Sequence, residues 1–383
     1  MVLLGLLIAL PALGTDLFVP ALPALTHALG AGVAGAQLTV TLYFIGLAAG
    51  QLLWGPLSDR YGRKPVLASG LAIMAAASVA AALAESLAAV IAARLVQGVG
   101  MSCGALIGRT IVRDLYAHEQ AAKLLSSMTV VFSVVPLAAP LAGGLLAAAA
   151  GWPAVFVAMA VIAAALLAAV LRLAETAPAA RAPASPRRIF ATFGAILGER
   201  RFLAPYSVFL CTQIGVLAWV SNSSFALIGG LGVGPTAYGA MFMLVMSGQI
   251  VGAWVSSRLV LRLGIPRLLR AGALLLFAGG AAAAALAWLG VAHWAAVVAP
   301  FVLYLFGAAL VVPNATAAAM APFPASAGAV SSLIGTIGFA AGALISTALG
   351  AAFDGTARPM ASVALAAGAL AFLFERALAR GKA

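Results

Sequence analysis

Residues 6–25 read "LLIALPALGTDLFVPALPAL", a run in which Thr15 and Asp16 are the only polar side chains. As a helix rising about 1.5 Å per residue, roughly 20 such residues cross the hydrocarbon core of a bilayer. A carboxylate within that core is costly and calls for a function. The whole chain of 383 residues contains only nine Asp and Glu, so one placed here is read as chemistry set inside a membrane span.

Composition supports the membrane reading. Hydrophobic residues make up 64% of the chain and charged residues 8%, and the mean hydropathy is +1.15. A soluble domain carries about 25% charged residues. The opening "MVLLGLLIALPALG" has the apolar core of a signal peptide, but it lacks a basic leader and continues into a full span. It is read as an uncleaved first span whose natural leader is missing or very short. Apolar windows predict twelve transmembrane helices at 2–25, 36–57, 66–85, 88–111, 124–148, 152–173, 203–229, 236–259, 268–290, 293–319, 328–350 and 359–378. These Ala-, Leu- and Gly-rich runs lack the alternation of a membrane barrel, so the fold class is all-α.

The net charge of +12 does not form a basic face. With both termini cytoplasmic, all of the 21 basic residues except Arg94 and Arg358 lie at inner loops or inner span ends. No nucleic-acid partner is expected. The Pro-, Ala- and Arg-rich stretch 175–202 is read as a cytoplasmic linker with a surface helix near 188–197. It separates a six-helix bundle at 1–174 from another at 203–383. The halves echo each other: "SDRYGRKP" after span two has a weaker counterpart, "VLRLGIPR", after span eight, which aligns Gly62 with Gly264, Arg60 with Arg262 and Asp59 with Leu261. Two pseudo-symmetric bundles rocking about a central site is the architecture this implies.

Five motifs carry a resemblance. "GPLSDRYGRKP", Gly55–Pro65, resembles the loop signature of the major facilitator superfamily. The resemblance assigns conformational gating to Gly55, Asp59, Arg60, Gly62 and Arg63, with Asp59 meeting a helix N-terminus or an Arg across the bundle interface. In span four, "RLVQGVG" is similar to the superfamily segment with an intramembrane Arg. A cation there costs about 2.5–3.5 kcal/mol on insertion scales unless paired or wet, and Arg94 and Gln97, three apart, share one helix face. In span five, "VVPLAAPLAGG" resembles the antiporter signature, with Ala139 replacing its first Gly and Pro140, Gly143 and Gly144 retained for kinking and close packing. Finally "GTDLFVPALPAL" in span one and "VVPNATAAAMAPFPASAGAVSSLIG", 311–335, are similar to the Bcr/CflA bicyclomycin and chloramphenicol exporters.

That resemblance implies proton-coupled drug efflux across the bacterial inner membrane by alternating access, with a monomer in the bilayer exchanging protons for lipophilic or amphipathic small-molecule drugs. Asp16 becomes the proton-coupling carboxylate, together with Arg94 and Gln97; the alternative is a structural Asp capping a helix broken between Pro11 and Pro20. For the drug cavity, Tyr43, Phe44, Trp219, Asn222, Phe225, Met243 and Asn314 would supply an apolar wall with few polar anchors. An exporter of an endogenous metabolite, such as a sugar or amino-acid derivative, is the alternative function.

Other chemistry finds no footing. There is no GxxxxGK[ST] loop for nucleotide hydrolysis, no cofactor is expected, and the resemblance implies the proton gradient as the energy source. His27, His118 and His293 are scattered near span ends, no metal site is expected, and Cys103 and Cys211 sit in apolar spans as packing residues. No enzyme is read from this sequence.

Overall fold

Hydrocarbon offers no hydrogen bonds to a backbone, so apolar chain inside it closes its own N–H and C=O groups by coiling into helices. The computed structural model describes residues 2–115, 118–176, 186–323 and 326–380, and among these no strand occurs. The helices are α1 (Val2–Asp16), α2 (Leu22–Ala28), α3 (Val33–Tyr61), α4 (Arg63–Ala82), α5 (Leu87–Leu115), α6 (His118–Ala150), α7 (Trp152–Leu171), α8 (Pro186–Gly198), α9 (Arg200–Ser224), α10 (Pro235–Leu263), α11 (Ile265–Trp288), α12 (Trp294–Met320), α13 (Ala327–Ala352) and α14 (Arg358–Arg380).

Eleven described stretches are long and apolar enough to cross a membrane. The twelfth expected span, 124–148, falls on α6, where Val134–Ala150 forms a shorter apolar helix among the described residues. Arg181 and Lys382 lie outside the described residues, as do Pro324 and Ala325 of the 311–335 motif. So do the side chains of Arg113, Lys123, Arg187, Arg188 and Arg380. The surface helix expected near 188–197 is α8, whose Phe193 and Ile196 are buried.

Span one is not a single helix. Pro20 has no N–H to give the ladder and restricts the residue before it, so α1 stops at Asp16 and the chain passes through a 3-10 turn at Val19–Ala21 into α2. Span seven also departs from regularity: α9 runs into a π-helical turn, Phe225–Gly230.

Contacts divide the chain into two compact units, Met1–Ser185 with Gly335–Ala343, and Pro186–Ile334 with Leu344–Ala383. Within the first, α3 and α5 touch backbone to backbone. A Cβ on Gly46 would meet the Leu95 carbonyl, and one on Gly98 would meet the Tyr43 carbonyl. Small residues are what allow such approach in a membrane, and here they bring Tyr43 against Arg94. In the second unit α11 is packed against α12 and α14, with Gly272 facing the Gly307 carbonyl and Gly280 facing that of Ala364.

Candidate functional site

The break that ends α1 leaves Asp16 at its last residue, 6% exposed. The Pro11 carbonyl one turn earlier accepts from the Thr15 hydroxyl at 3.1 Å and the Tyr43 hydroxyl at 2.8 Å. The break therefore falls between Pro11 and Pro20, as the capping alternative requires. Yet among the described residues no hydrogen bond from a backbone N–H to the Asp16 carboxylate is present, and the helix end is not capped by it.

Arg94 on α5 is fully buried and lies beside this break. Its Nη1 donates to the Gly14 carbonyl at 3.0 Å and to Gln97 Oε1 at 2.5 Å, and its Nε to the Thr39 carbonyl at 3.4 Å. The guanidinium also lies over the rings of Tyr43, Phe18 and Phe156, at 4.0, 4.6 and 5.9 Å from their centroids. Arg94 thus touches Gly14 and Phe18, two residues to either side of Asp16. No ion pair joins the two charged groups themselves among the described residues. Carbonyl dipoles and aromatic faces stabilise the cation instead.

Arg94 and Gln97 do share a helix face, and Gln97 extends the network by donating from Nε2 to Ser78 Oγ at 2.7 Å and to Met159 Sδ at 3.3 Å. One cluster therefore ties α1, α3, α4, α5 and α7 together. The span-five motif reaches the same place from another side. Pro140, Gly143 and Gly144 are buried, and a Cβ on Gly143 would run into the Leu17 carbonyl, the residue after Asp16. Only glycine lets α6 lie directly on the broken backbone.

At the α3–α4 joint, Gly62 turns the chain with φ +98°. Arg63 is buried and donates to Asp59 at 2.6 Å, Asp114 at 2.9 Å and Ser58 Oγ at 2.8 Å. Asp59 was expected at a helix N-terminus or at an Arg across the bundle interface. It meets the Arg one turn on in its own motif, while the N-terminus of α4 is met by Glu175, whose carboxylate accepts from the backbone N–H of Arg63 at 2.9 Å and of Lys64 at 3.1 Å. Gly55 is half-buried and Arg60 exposed, its guanidinium over the Tyr61 ring.

The expected drug-cavity residues separate into different surroundings. Tyr43 belongs to the Arg94 cluster, with Phe44 next to it. Asn314 donates to Ser256 Oγ at 2.9 Å and to the Leu310 carbonyl at 2.8 Å, which makes it a tie between α10 and α12. Trp219 is fully buried with ring centroids 5.7 Å from Phe242 and 4.8 Å from Phe301, Phe225 is 5.9 Å from Phe353, and Met243 is half-buried. Among the described residues Trp219 Nε1 and both polar atoms of Asn222 are buried without a hydrogen-bond partner, as are the Ser224 and Tyr304 hydroxyls. Such groups are costly in hydrocarbon.

Phe18, Ser78, Asp114, Phe156, Met159 and Glu175 were not singled out from sequence. Phe18 carried a signal, an aromatic two residues from the buried acid. The others are brought in by the fold from distant spans. Among the described residues no group of three His, Cys, Asp or Glu is placed to hold a metal, and Cys103 and Cys211 are buried free thiols.

The sequence profile described as Major Facilitator Superfamily matches residues 4–347. The chain is 30% identical over 360 residues to a Haemophilus influenzae protein called "Bicyclomycin resistance protein homolog", covering 93% of this chain and 90% of that protein. A Pseudomonas aeruginosa "Chloramphenicol resistance protein" is 51% identical over 69 residues, 18% of this chain and 16% of its own length. Among solved structures, a partially occluded inward-open form of the xylose transporter XylE from E. coli superposes with a TM-score of 0.75 at 14% identity, covering 97% of this chain and 96% of that one.

Proposed function

Because the chain belongs to the major facilitator superfamily and is a membrane transporter rather than an enzyme, we propose that it exports lipophilic or amphipathic antibiotics across the bacterial inner membrane in exchange for protons. The names of its bacterial relatives support an antibiotic as cargo. The observation that carries proton coupling is Asp16: an acid buried at a helix break, with no cation paired to it among the described residues and Arg94 held beside it by carbonyls and rings. A carboxylate in that setting can change its protonation without first breaking an ion pair.

In the proposed cycle the inward-open protein, deprotonated at Asp16, takes up drug from the cytoplasm. It turns outward, releases the drug as Asp16 is protonated, and returns carrying the proton. The bundles 1–174 and 203–383, joined by the cytoplasmic linker 175–202, are the bodies that rock, with both termini cytoplasmic and one chain as the transporting unit. Gly143 lies on the Leu17 carbonyl, so a shift of α6 is felt at the break that holds Asp16. The Arg63 network supports a latch role for the α3–α4 joint. Trp219, Asn222 and Phe225 form the drug-facing part of the second bundle, with the Asn222 amide as its polar anchor.

A susceptibility panel in an efflux-deficient bacterial host expressing wild type or Asp16→Asn tests the reading. Wild type should raise resistance to at least one amphipathic antibiotic and Asp16→Asn should not, at equal membrane abundance. Resistance undiminished by the substitution would contradict it.

A further inference from the structure

The second unit holds a cavity of about 670 Å³ that none of the residues assigned a role above lines. It is formed by the first turns of α9 and α11 and the last turns of α12 and α14, so it opens where four membrane-spanning helices end together. Its wall is apolar, built from side chains such as Leu203, Leu269, Ala318 and Phe374. At its rim stand two cations, Arg200 and Arg201, both exposed and without an ion-pair partner among the described residues. No acid lines it. Glu199 flanks Arg200 in sequence but does not line the cavity, and Glu375 faces Arg270, 3.5 Å away.

We propose that this cavity is a binding site for an anionic phospholipid. The volume falls within the range of sites that enclose small organic molecules. An apolar chamber with guanidinium groups at its mouth, at the depth where span ends meet the headgroups, fits a molecule with hydrocarbon at one end and a phosphodiester at the other. Guanidinium groups bind phosphate oxygens through paired N–H donors, a geometry that selects phosphate over a neutral headgroup. A basic pocket between membrane helices at an interface is the general form of such recognition. Half of the rim is continuous with α8, whose buried Phe193 and Ile196 lead through Glu199 into Arg200. A lipid seated here would brace the entry into α9, the helix that carries Trp219 and Asn222.

The test uses the full chain in detergent, titrated separately with dioleoylphosphatidylglycerol, dioleoylphosphatidylcholine and glycerol 3-phosphate, with bound lipid counted by native mass spectrometry. Phosphatidylglycerol should bind in preference to phosphatidylcholine, and glycerol 3-phosphate should not displace it. Arg200→Gln/Arg201→Gln should weaken phosphatidylglycerol binding by roughly tenfold and leave phosphatidylcholine unchanged. Ala318→Trp, which fills the chamber without altering charge, should weaken it as well. Arg258→Gln/Arg262→Gln, which removes two exposed cations of α10 that do not line the cavity, should retain it. Equal binding of the two lipids by wild type overturns the proposal, and that comparison needs no variant to fold. It is also overturned by an unchanged preference in the Arg200/Arg201 variant, by an equal loss in the α10 variant, or by displacement with glycerol 3-phosphate.

Discussion

The joint between α3 and α4 and the joint between α10 and α11 use the same backbone device, a single glycine of positive φ between two membrane helices, +98° at Gly62 and +76° at Gly264. Around it they differ. The first is filled with charge: buried Arg63 binds Asp59, Asp114 and Ser58, and Glu175 closes the N-terminus of α4. At the second, the residue aligned with Asp59 is Leu261, which is 95% exposed, Arg262 is exposed, and the described residues carry no ion pair. A tight turn needs only a glycine, so both halves kept one. A buried arginine needs acids at defined places, and among the described residues only the first joint has them.

The largest effect is expected from Arg63→Ala. It removes the guanidinium that pairs with the buried Asp114 carboxylate, and losing one partner of a buried pair costs about 3 kcal/mol or more. Thermal unfolding in detergent should show that loss, whereas Arg262→Ala should stay within about 0.5 kcal/mol of wild type. Equal effects would erase the distinction between the joints. Next come Gly62→Ala and Gly264→Ala. Each forces an L side chain to positive φ at about 1–2 kcal/mol. Gly62→Ala should be the worse, because its Cβ would press on the Glu175 carboxylate at 2.6 Å, while the nearest atom at Gly264 is at 3.7 Å. The smallest effect belongs to Leu261→Asp/Ile265→Arg, which transplants the i, i+4 pair of Asp59 and Arg63. With Leu261 exposed and Ile265 half-buried, the pair should add only about 0.3–0.5 kcal/mol and leave transport unchanged. A large gain would mean that the second joint can be converted into the first by two residues.

These joints also show what could be read from the chain. The Gly62–Gly264 alignment was visible because a turn signal is local, and the span count followed from apolar windows for the same reason. Arg94 and Gln97 were placed on one face by their spacing alone. The partners of Arg94 were not legible, because they are carbonyls of Gly14 and Thr39, and every residue has a carbonyl. Nor did the sequence mark Glu175 at the start of α4, 112 residues from Arg63, or Asp114, 51 residues away. Tyr43 was expected to face drug but lies against a guanidinium, and Asn314 proved to be an interhelical tie. The motifs named the helices that matter, and packing decided which side chains meet.

Proton coupling, as proposed, requires the Asp16 carboxyl group to load and unload a proton as the cargo crosses. Purified protein in vesicles holding a pH-sensitive dye, acidified on the side from which protons are expected to enter, measures this directly once a transported antibiotic is in hand. Adding that antibiotic should evoke proton movement with wild type and none with Asp16→Asn, although the variant still binds the compound. Drug-evoked proton flux of equal size in the Asn variant would contradict the account.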